Sequence, residues 1–463
     1  MVTKHNLILN TDSYKASHYL QYPPNTSRIS CYIESRGGKY PQTLFFGLQL
    51  YLKEYLSRPM TRADIDEAAE LLHNHGLPFN RDGWEYIVNQ HGGYLPIAIE
   101  AVPEGTLMPL HNVMAQVVNT DPQCFWLPTY IETSLLRAVW YPTTVATASW
   151  HCKAIIRRYL LETGDDLNSL PVKLHDFGAR GVSSQESAEI GAAAHLVNFT
   201  GTDTLAGVLA ARRYYSEPMA AHSIPAAEHS TIITWGKNNE TEAYAHIFKQ
   251  FSKKDNWVSI VSDSYDIWHA LKNIWGDQLK QQVINNPGVL VVRPDSGDPT
   301  TVVTKTIEIL INQFGSKINS KGYHVLPDNI RIIQGDGITI NTIEQCLAAM
   351  KAKKQSAENI AFGMGGALLQ KLDRDTQEFA MKANAVERDG QWHDVYKTPQ
   401  TDMRKASKAG RLALVRDEKE RFKTIRHDAL GEQENILMPI FKNGELLKEW
   451  TFKEIRNRAV SFF

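Results

Sequence analysis

The chain has no excess of either charge: among 463 residues, Lys and Arg total 50 and Asp and Glu 51, for a formal net charge of −1. Nothing global therefore draws it to nucleic acid or to an anionic membrane, and any anion site must come from local clusters. Cysteine is scarce. The four, Cys31, Cys124, Cys152 and Cys346, lie too far apart for a CxxC metal or redox pair and are too few to staple a chain of this length, so a reducing compartment fits. No run of about 18 apolar residues occurs, so no membrane-spanning helix is expected. The opening Met1-Val2-Thr3-Lys4-His5-Asn6 lacks the apolar stretch of a secretion signal, and the expected location is cytoplasmic. On that reading the Asn-x-Ser/Thr triplets beginning at Asn25, Asn198 and Asn239 are chance matches. Low-complexity tracts and repeats of solenoid period are also missing.

What is present is enough apolar matter, 43% of the residues, for roughly two or three ordinary domains. Residues 1–170 mix short extended pieces with helices, such as Thr61 to His75, which starts at a Thr cap and stops at Gly76. From Val172 the texture becomes a cycle of short apolar run, Asp/Gly/Ser turn and amphipathic helix. The runs are Lys173–Asp176, Trp257–Ser262, Val289–Val292, Ile330–Ile333 and Ile360–Phe362. The helices following them start near Ser184, with Ser183 and Glu186 at capping-box spacing, and cover Tyr265–Trp275, Thr300–Phe314 and Asn341–Lys353. Such alternation predicts parallel strands joined by crossover helices, closed or nearly closed as a β/α barrel over 171–399. The stretch after Gln377 turns basic, with Lys382, Arg388, Lys397, Arg404, Lys405, Lys408 and Arg411. The final residues, about 400–463, are expected to return to the N-terminal region and complete a discontinuous α+β domain.

In a barrel the residues just after each strand meet at one rim. Here those positions read HDFGARG, SDSYD, RPDSGDP, QGDG and FGMGG. Any one Asp or Gly is more often a helix cap or a turn residue. Their repetition at successive strand ends is what points to a shared site of Asp, Arg, His and Gly.

Eight segments in one order, TDSYKASHYLQYPP, KLHDFGARGVSSQE, GTDTLAG, PAAEHST, VSDSYDI, VRPDSGDP, RIIQGDGI and FGMGGALLQKLDRD, resemble the nicotinate/nicotinamide phosphoribosyltransferase family, with similarity from about Asn6 to near the C-terminus. The resemblance implies an α/β fold: an irregular β/α barrel of the type II phosphoribosyltransferase kind with a second, discontinuous α+β domain. It implies transfer of a ribosyl group from phosphoribosyl pyrophosphate to nicotinamide, with ATP as stimulating co-substrate and Mg2+ accompanying the diphosphate. It further implies a homodimer with shared active sites.

Carried over position by position, the resemblance sandwiches the nicotinamide ring between Phe177 and, from the partner subunit, Tyr14. Asp203 corresponds to the selectivity carboxylate, which accepts from the carboxamide NH2 of nicotinamide and would repel the carboxylate of nicotinate. Arg180, His229 and Arg293 match positions around the diphosphate, where a guanidinium's planar fork pairs with two phosphate oxygens. Asp295 and Asp336 match ribose-contacting carboxylates that also help balance Mg2+; no direct metal ligand is assigned. Gly335, Gly365 and Gly366 would let the backbone approach the 5-phosphate, with Met364 and Ala367 standing where small residues are expected. His229 resembles the histidine phosphorylated by ATP, and Asp266 is the candidate for orienting it. Arg36, Arg374, Lys382, Lys397 and Lys405 match basic residues that reach phosphates. Taken singly, an Arg or Lys in this set would be a solvated face, His229 a structural histidine and Asp203 a helix N-cap.

Three other readings stay open. One is nicotinate phosphoribosyltransferase, against which Asp203 argues. Another is a barrel aldolase or isomerase of phosphosugars, for which no Schiff-base lysine stands at a strand end. The last is a non-catalytic nucleotide-binding or signalling protein, disfavoured by the presence of His229, Arg293 and Asp295.

Overall fold

A computed structural model describes residues 6–402 and 405–462; Arg404 lies outside the described residues. The chain divides into two compact units, one comprising the residues up to Thr147 with Ala210–Pro218 and Leu372–Phe462, the other Ala148–Leu209 with Met219–Lys371.

The second unit carries a parallel sheet of six strands in the order Gly201–Thr202, Leu174–Asp176, Ile360–Met364, Ile330–Gln334, Val289–Arg293 and Trp257–Val261. Sequences such as Val289-Leu290-Val291-Val292 form these strands because β-branched side chains suit a pleated surface covered on both sides. Helices cross between strands where caps allow them to start. Asp298 accepts from Thr301 N ahead of Pro299–Phe314, and Thr339 forms a capping box ahead of Ile340–Ala352. The cap of the helix Gln185–Leu196 is Ser184, which accepts from Ser187 N, one residue later than the expected Ser183/Glu186 box. The expected helix Tyr265–Trp275 is a short turn, Ile267–His269, passing into the π-helix Ala270–Gln278.

The two edges of this sheet are joined by an extended segment that the apolar pattern did not reveal. His222 N donates to Thr200 O at 2.8 Å on one edge, while Ala227 N donates to Ser259 O at 2.8 Å on the other and Ser259 N returns to Pro225 O at 2.9 Å. Gly201 and His222 are bridged in parallel, as are Ala226 and Ser259, so the strands close into a ring. Register then aligns the strand ends: Asp176 with Thr202, Met364 with Asp176, Gln334 with Phe362, Val261 with Arg293. The residues that follow emerge together at the carboxyl end of the ring.

The first unit is built on a seven-stranded antiparallel sheet, in the order Gln391–Asp394, Phe379–Arg388, Thr26–Ser35, Val113–Asn119, Ile97–Ala101, Met438–Lys442 and Glu445–Leu446. Strands from the chain's C-terminal part thus flank strands from its N-terminal part. Phe379–Arg388 runs along Thr26–Ser35 with Tyr32 opposite Lys382, so the barrel unit ends at Lys371 and not near residue 399. The expected helix from Thr61 to His75 is found as Arg62–Asn74, with Thr61 in a capping box with Asp64. All four cysteines are buried and none is in a disulfide. Among the described residues no helix is long and apolar enough to cross a membrane.

Candidate active site

At the carboxyl rim of the ring Phe177 follows the strand Leu174–Asp176, and its N–H donates to Met364 O at 3.0 Å. The ring lies over Gly363, where an added Cβ would come within 2.0 Å of it, and beside Gly335, where a Cβ would stand 3.2 Å from the ring and 3.4 Å from Asp295 Oδ1. Gly363 was not singled out from the sequence, although it sits one residue before the strand end in FGMGG. Met364 is the buried last residue of that strand rather than part of the glycine turn. A Cβ at Gly365 would reach only Phe177 O at 3.4 Å and one at Gly366 only Gly181 O at 3.9 Å, so neither glycine is demanded by packing within the chain.

Next to Phe177 stands a cluster of acids, a histidine and an arginine. His229 opens the short helix His229–Ile233; its Nδ1 lies 3.0 Å from Ser264 Oγ, and its Nε2 lies 3.5 Å from Asp295 Oδ2 and 3.7 Å from Asp263 Oδ1. Arg293 Nη2 is 3.8 Å from Asp295 Oδ2. Asp263 Oδ2 accepts from Asp295 N at 2.9 Å and from Ser296 Oγ at 2.5 Å, which fixes the two strand-end loops against each other. Burial raises the Asp295 carboxyl above its ordinary value and Asp263 and Asp336 push the same way, against the pull of Arg293 and His229. Two polar atoms here are buried without a hydrogen-bond partner, Asp263 Oδ1 and Arg293 Nε. Such atoms cost about 1–3 kcal/mol each unless something fills the space, and here they present an acceptor and a donor to it.

Asp266 does not orient His229. Its carboxylate caps the turn that follows, accepting from Trp268 N at 2.9 Å and His269 N at 3.2 Å. The groups at the imidazole are Ser264 and Asp263, in the same SDSYD segment but directly after the strand. Asp263, like Asp295, lies in one of the strand-end segments, and that position is the signal that could have found it.

Asp203 emerges beside Phe177, its N–H donating to Asp176 O at 3.0 Å. Its side chain is exposed, and Ser223, on the segment that closes the ring, donates to its Oδ1. Thr204 N turns back on Thr202 Oγ1, at 2.9 Å. Phe177, Asp203, Ser223 and Arg293 line the mouth of a cavity of about 390 Å³ that continues past His175 through the ring toward Lys173. Burial lowers the His175 imidazole, opposed by the charge of Asp203, so it is a neutral wall at neutral pH. A cavity of this size with aromatic and aliphatic walls and few polar groups suits a small flat heteroaromatic ligand. Arg180 is exposed in the turn Ala179–Gly181 and Asp336 is exposed after the strand Ile330–Gln334.

The remaining basic positions, with Tyr14, belong to the antiparallel-sheet unit. Tyr14 is 56% exposed on the turn Ser13–Leu20 and, with Arg374, lines a second cavity of about 400 Å³. Arg374 Nη2 pairs with Asp375 Oδ1 at 2.7 Å. Lys382 Nζ is 3.7 Å from Glu132 Oε1, and its ammonium is lowered, first by burial and then by Arg36, Lys397 and Lys15 against the pull of Glu132. Arg36 is buried, while Lys397 and Lys405 are exposed, Lys405 lying 3.9 Å from Asp402. Among the described residues no group of three or more His, Cys, Asp or Glu side chains is disposed to hold a metal ion.

Residues 172–433 match the Nicotinate phosphoribosyltransferase (NAPRTase) family, and residues 6–99 match the nicotinamide phosphoribosyltransferase N-terminal domain. The chain is 53% identical over 460 residues to a nicotinamide phosphoribosyltransferase of Xanthomonas campestris pv. campestris, covering 98% of both chains. It is 30% identical to one of Acinetobacter baylyi, covering 96% of this chain and 95% of the relative. Among solved structures it is similar in fold to a nicotinate-nucleotide pyrophosphorylase from Pyrococcus furiosus, with a TM-score of 0.65, 17% identity and 100% and 96% of the two chains covered. It is also similar in fold to human nicotinic acid phosphoribosyltransferase, with a TM-score of 0.61, 16% identity and 97% and 93% covered.

Proposed function

The chain belongs to the nicotinate and nicotinamide phosphoribosyltransferase family, and on that premise we infer that it joins nicotinamide to phosphoribosyl pyrophosphate, giving nicotinamide mononucleotide and pyrophosphate. The observation that carries this reading is the meeting of Phe177, Asp203, Arg293, Asp295 and His229 around one cavity mouth and the loops beside it.

The chemistry asks little proton transfer of the protein. The pyridine nitrogen of nicotinamide supplies the electron pair for the new bond to the ribose C1, and the pair of the breaking C1–O bond leaves with pyrophosphate. Positive charge develops on the ribose and negative charge on the leaving group, so carboxylates are needed on one side and cations on the other. Asp295, with Asp336, faces the ribose; Arg293, Arg180 and His229 face the diphosphate. Phe177 stacks on the nicotinamide ring. Gly335, Gly365 and Gly366 leave room for the 5-phosphate, since beside the last two only backbone atoms of the chain approach, none nearer than 3.4 Å to an added Cβ.

Mg2+ would come bound to the diphosphate and offset its charge. Asp263 Oδ1, which has no hydrogen-bond partner and lies beside Asp295, would be the hard oxygen donor nearest to it. ATP stimulates turnover through His229: with Nδ1 engaged by Ser264, Nε2 is the nitrogen that attacks the γ-phosphorus while ADP leaves. Tyr14 acts from the partner subunit of a homodimer, together with Arg36, Arg374, Lys382, Lys397 and Lys405 at the phosphates. Mixing Tyr14→Ala with Phe177→Ala subunits tests that arrangement, because only an exchanged dimer sharing its sites regains activity.

Selectivity for the amide is assigned to Asp203, whose Oδ1 is held by Ser223 and whose other oxygen is left to accept from the carboxamide. Asp203→Asn is expected to lower the ratio of kcat/KM for nicotinamide over nicotinate by on the order of 10- to 100-fold, the worth of one charge-assisted hydrogen bond. An unchanged ratio would remove Asp203 from the assignment.

A further inference from the structure

Glu34 is a buried acid that the reaction does not use. It is the penultimate residue of the strand Thr26–Ser35, is 2% exposed, and is surrounded by partners. Arg36 Nε donates to its Oε1 at 3.0 Å, Tyr32 OH donates to the same oxygen at 3.1 Å, and Lys408 Nζ donates to Oε2. Lys408 N in turn donates to Tyr32 OH at 2.9 Å, so the loop bearing Lys408 is fastened to the strand at two points. Lys397 and Ser407 are in turn joined, Lys397 N donating to Ser407 Oγ at 2.9 Å and Ser407 N to Lys397 O at 3.0 Å. One carboxylate thus holds the guanidinium that follows the strand and, through Lys408, the pairing of Ser407 with Lys397 next to it.

The cations so held are not saturated. Arg36 Nη2 is buried with no hydrogen-bond partner, while Nε of the same group is committed to Glu34. A desolvated guanidinium with an open donor is costly in a resting protein and is relieved by an anion. Arg36, Lys397 and Lys15 are also close enough to Lys382 to act on its ionisation, with Glu132 as the opposing carboxylate, so Arg36 belongs to a group of cations around Lys382. A carboxylate next to such a cluster weakens anion binding by Coulomb's law alone. Its presence needs a different reason, and the hydrogen bonds supply one.

We propose that Glu34 is the positioning residue of the cation cluster: through Arg36 and Lys408 it sets the geometry in which Arg36 Nη2, Lys397 and Lys405 receive the phosphates of the substrate. The inference rests on the placing of Arg36, Lys397 and Lys405 at phosphates made above. It predicts a sign opposite to simple electrostatics, because deleting a negative charge beside an anion site should here loosen the anion.

The test is calorimetric titration of the full-length protein, Glu34→Gln and Lys408→Met with inorganic pyrophosphate and Mg2+, with KM for phosphoribosyl pyrophosphate and for nicotinamide measured alongside. Glu34→Gln is expected to raise the pyrophosphate Kd and the phosphoribosyl pyrophosphate KM about tenfold, the worth of one charge-assisted hydrogen bond, with the nicotinamide KM unchanged. Lys408→Met, which keeps the Glu34–Arg36 pair, is expected to raise both severalfold. Tighter or unchanged pyrophosphate binding in a folded Glu34→Gln protein overturns the proposal, as does an equal rise in both KM values. Should Glu34→Gln fail to fold, unchanged pyrophosphate binding by Lys408→Met overturns it alone. If the unaltered protein made no mononucleotide, the catalytic reading would fall while the pyrophosphate titration still decided the role of Glu34.

Discussion

Phe177 keeps its place because residue 363 on the neighbouring strand has no side chain. Gly363→Ala would put a carbon 2.0 Å from the ring, so the aromatic must swing away or the strand must shift. The expected outcome is a rise of about tenfold in the nicotinamide KM, with a stability loss of about 1–3 kcal/mol seen in denaturant titration; an unaltered KM would mean that the ring does not contact nicotinamide. Asp295 makes a second prediction at this scale. Burial raises its carboxyl, so as the pH falls it gains a proton sooner than an ordinary Asp at about 3.9, and the ionised form that opposes the ribosyl charge is lost with it. The acid limb of kcat should therefore lie above that value and deepen to near-complete inactivity at all pH in Asp295→Asn. Single residues were legible in the sequence where a strand-end segment and the family resemblance agreed, as for Asp295, Arg293 and Phe177. Asp266 misled because a short Asp just before a helical stretch serves equally as a cap, and capping is a local bond that the backbone always offers.

The strands Trp257–Val261, Val289–Arg293, Ile330–Gln334 and Ile360–Met364 were readable as apolar runs ending in turn residues, each to within about two residues. The element that closes the ring was not. His222-Ser223-Ile224-Pro225-Ala226-Ala227 has no alternating or continuous apolar pattern, and Pro225 forbids regular pairing through its missing N–H. It is held by only a few backbone bonds to two edges, which no periodicity encodes. Ala227→Pro deletes the N–H that reaches Ser259 O and is expected to cost about 1–3 kcal/mol, measured as a lower denaturation midpoint. Because Ser223 rides on the same segment, the substitution should also lower selectivity between nicotinamide and nicotinate. Lost stability with selectivity intact would separate closure of the ring from the placing of Asp203.

Across the whole molecule, the alternation of strand and helix was enough to indicate a parallel β/α unit. The exchange of strands in the other unit was only partly visible. The return of the C-terminus to the N-terminal region was expected, but its beginning, at Phe379–Arg388, was hidden because that strand lies at the start of the basic stretch after Gln377 and gains its partner, Thr26–Ser35, from more than three hundred residues away. The central claim concerns what all these parts accomplish together, and it is tested most directly by chromatographic detection of mononucleotide from purified protein, phosphoribosyl pyrophosphate and Mg2+, with nicotinamide or nicotinate and with or without ATP. The expected result is product from nicotinamide alone, in greater yield with ATP; product from nicotinate in preference to nicotinamide, or none from either, would contradict it.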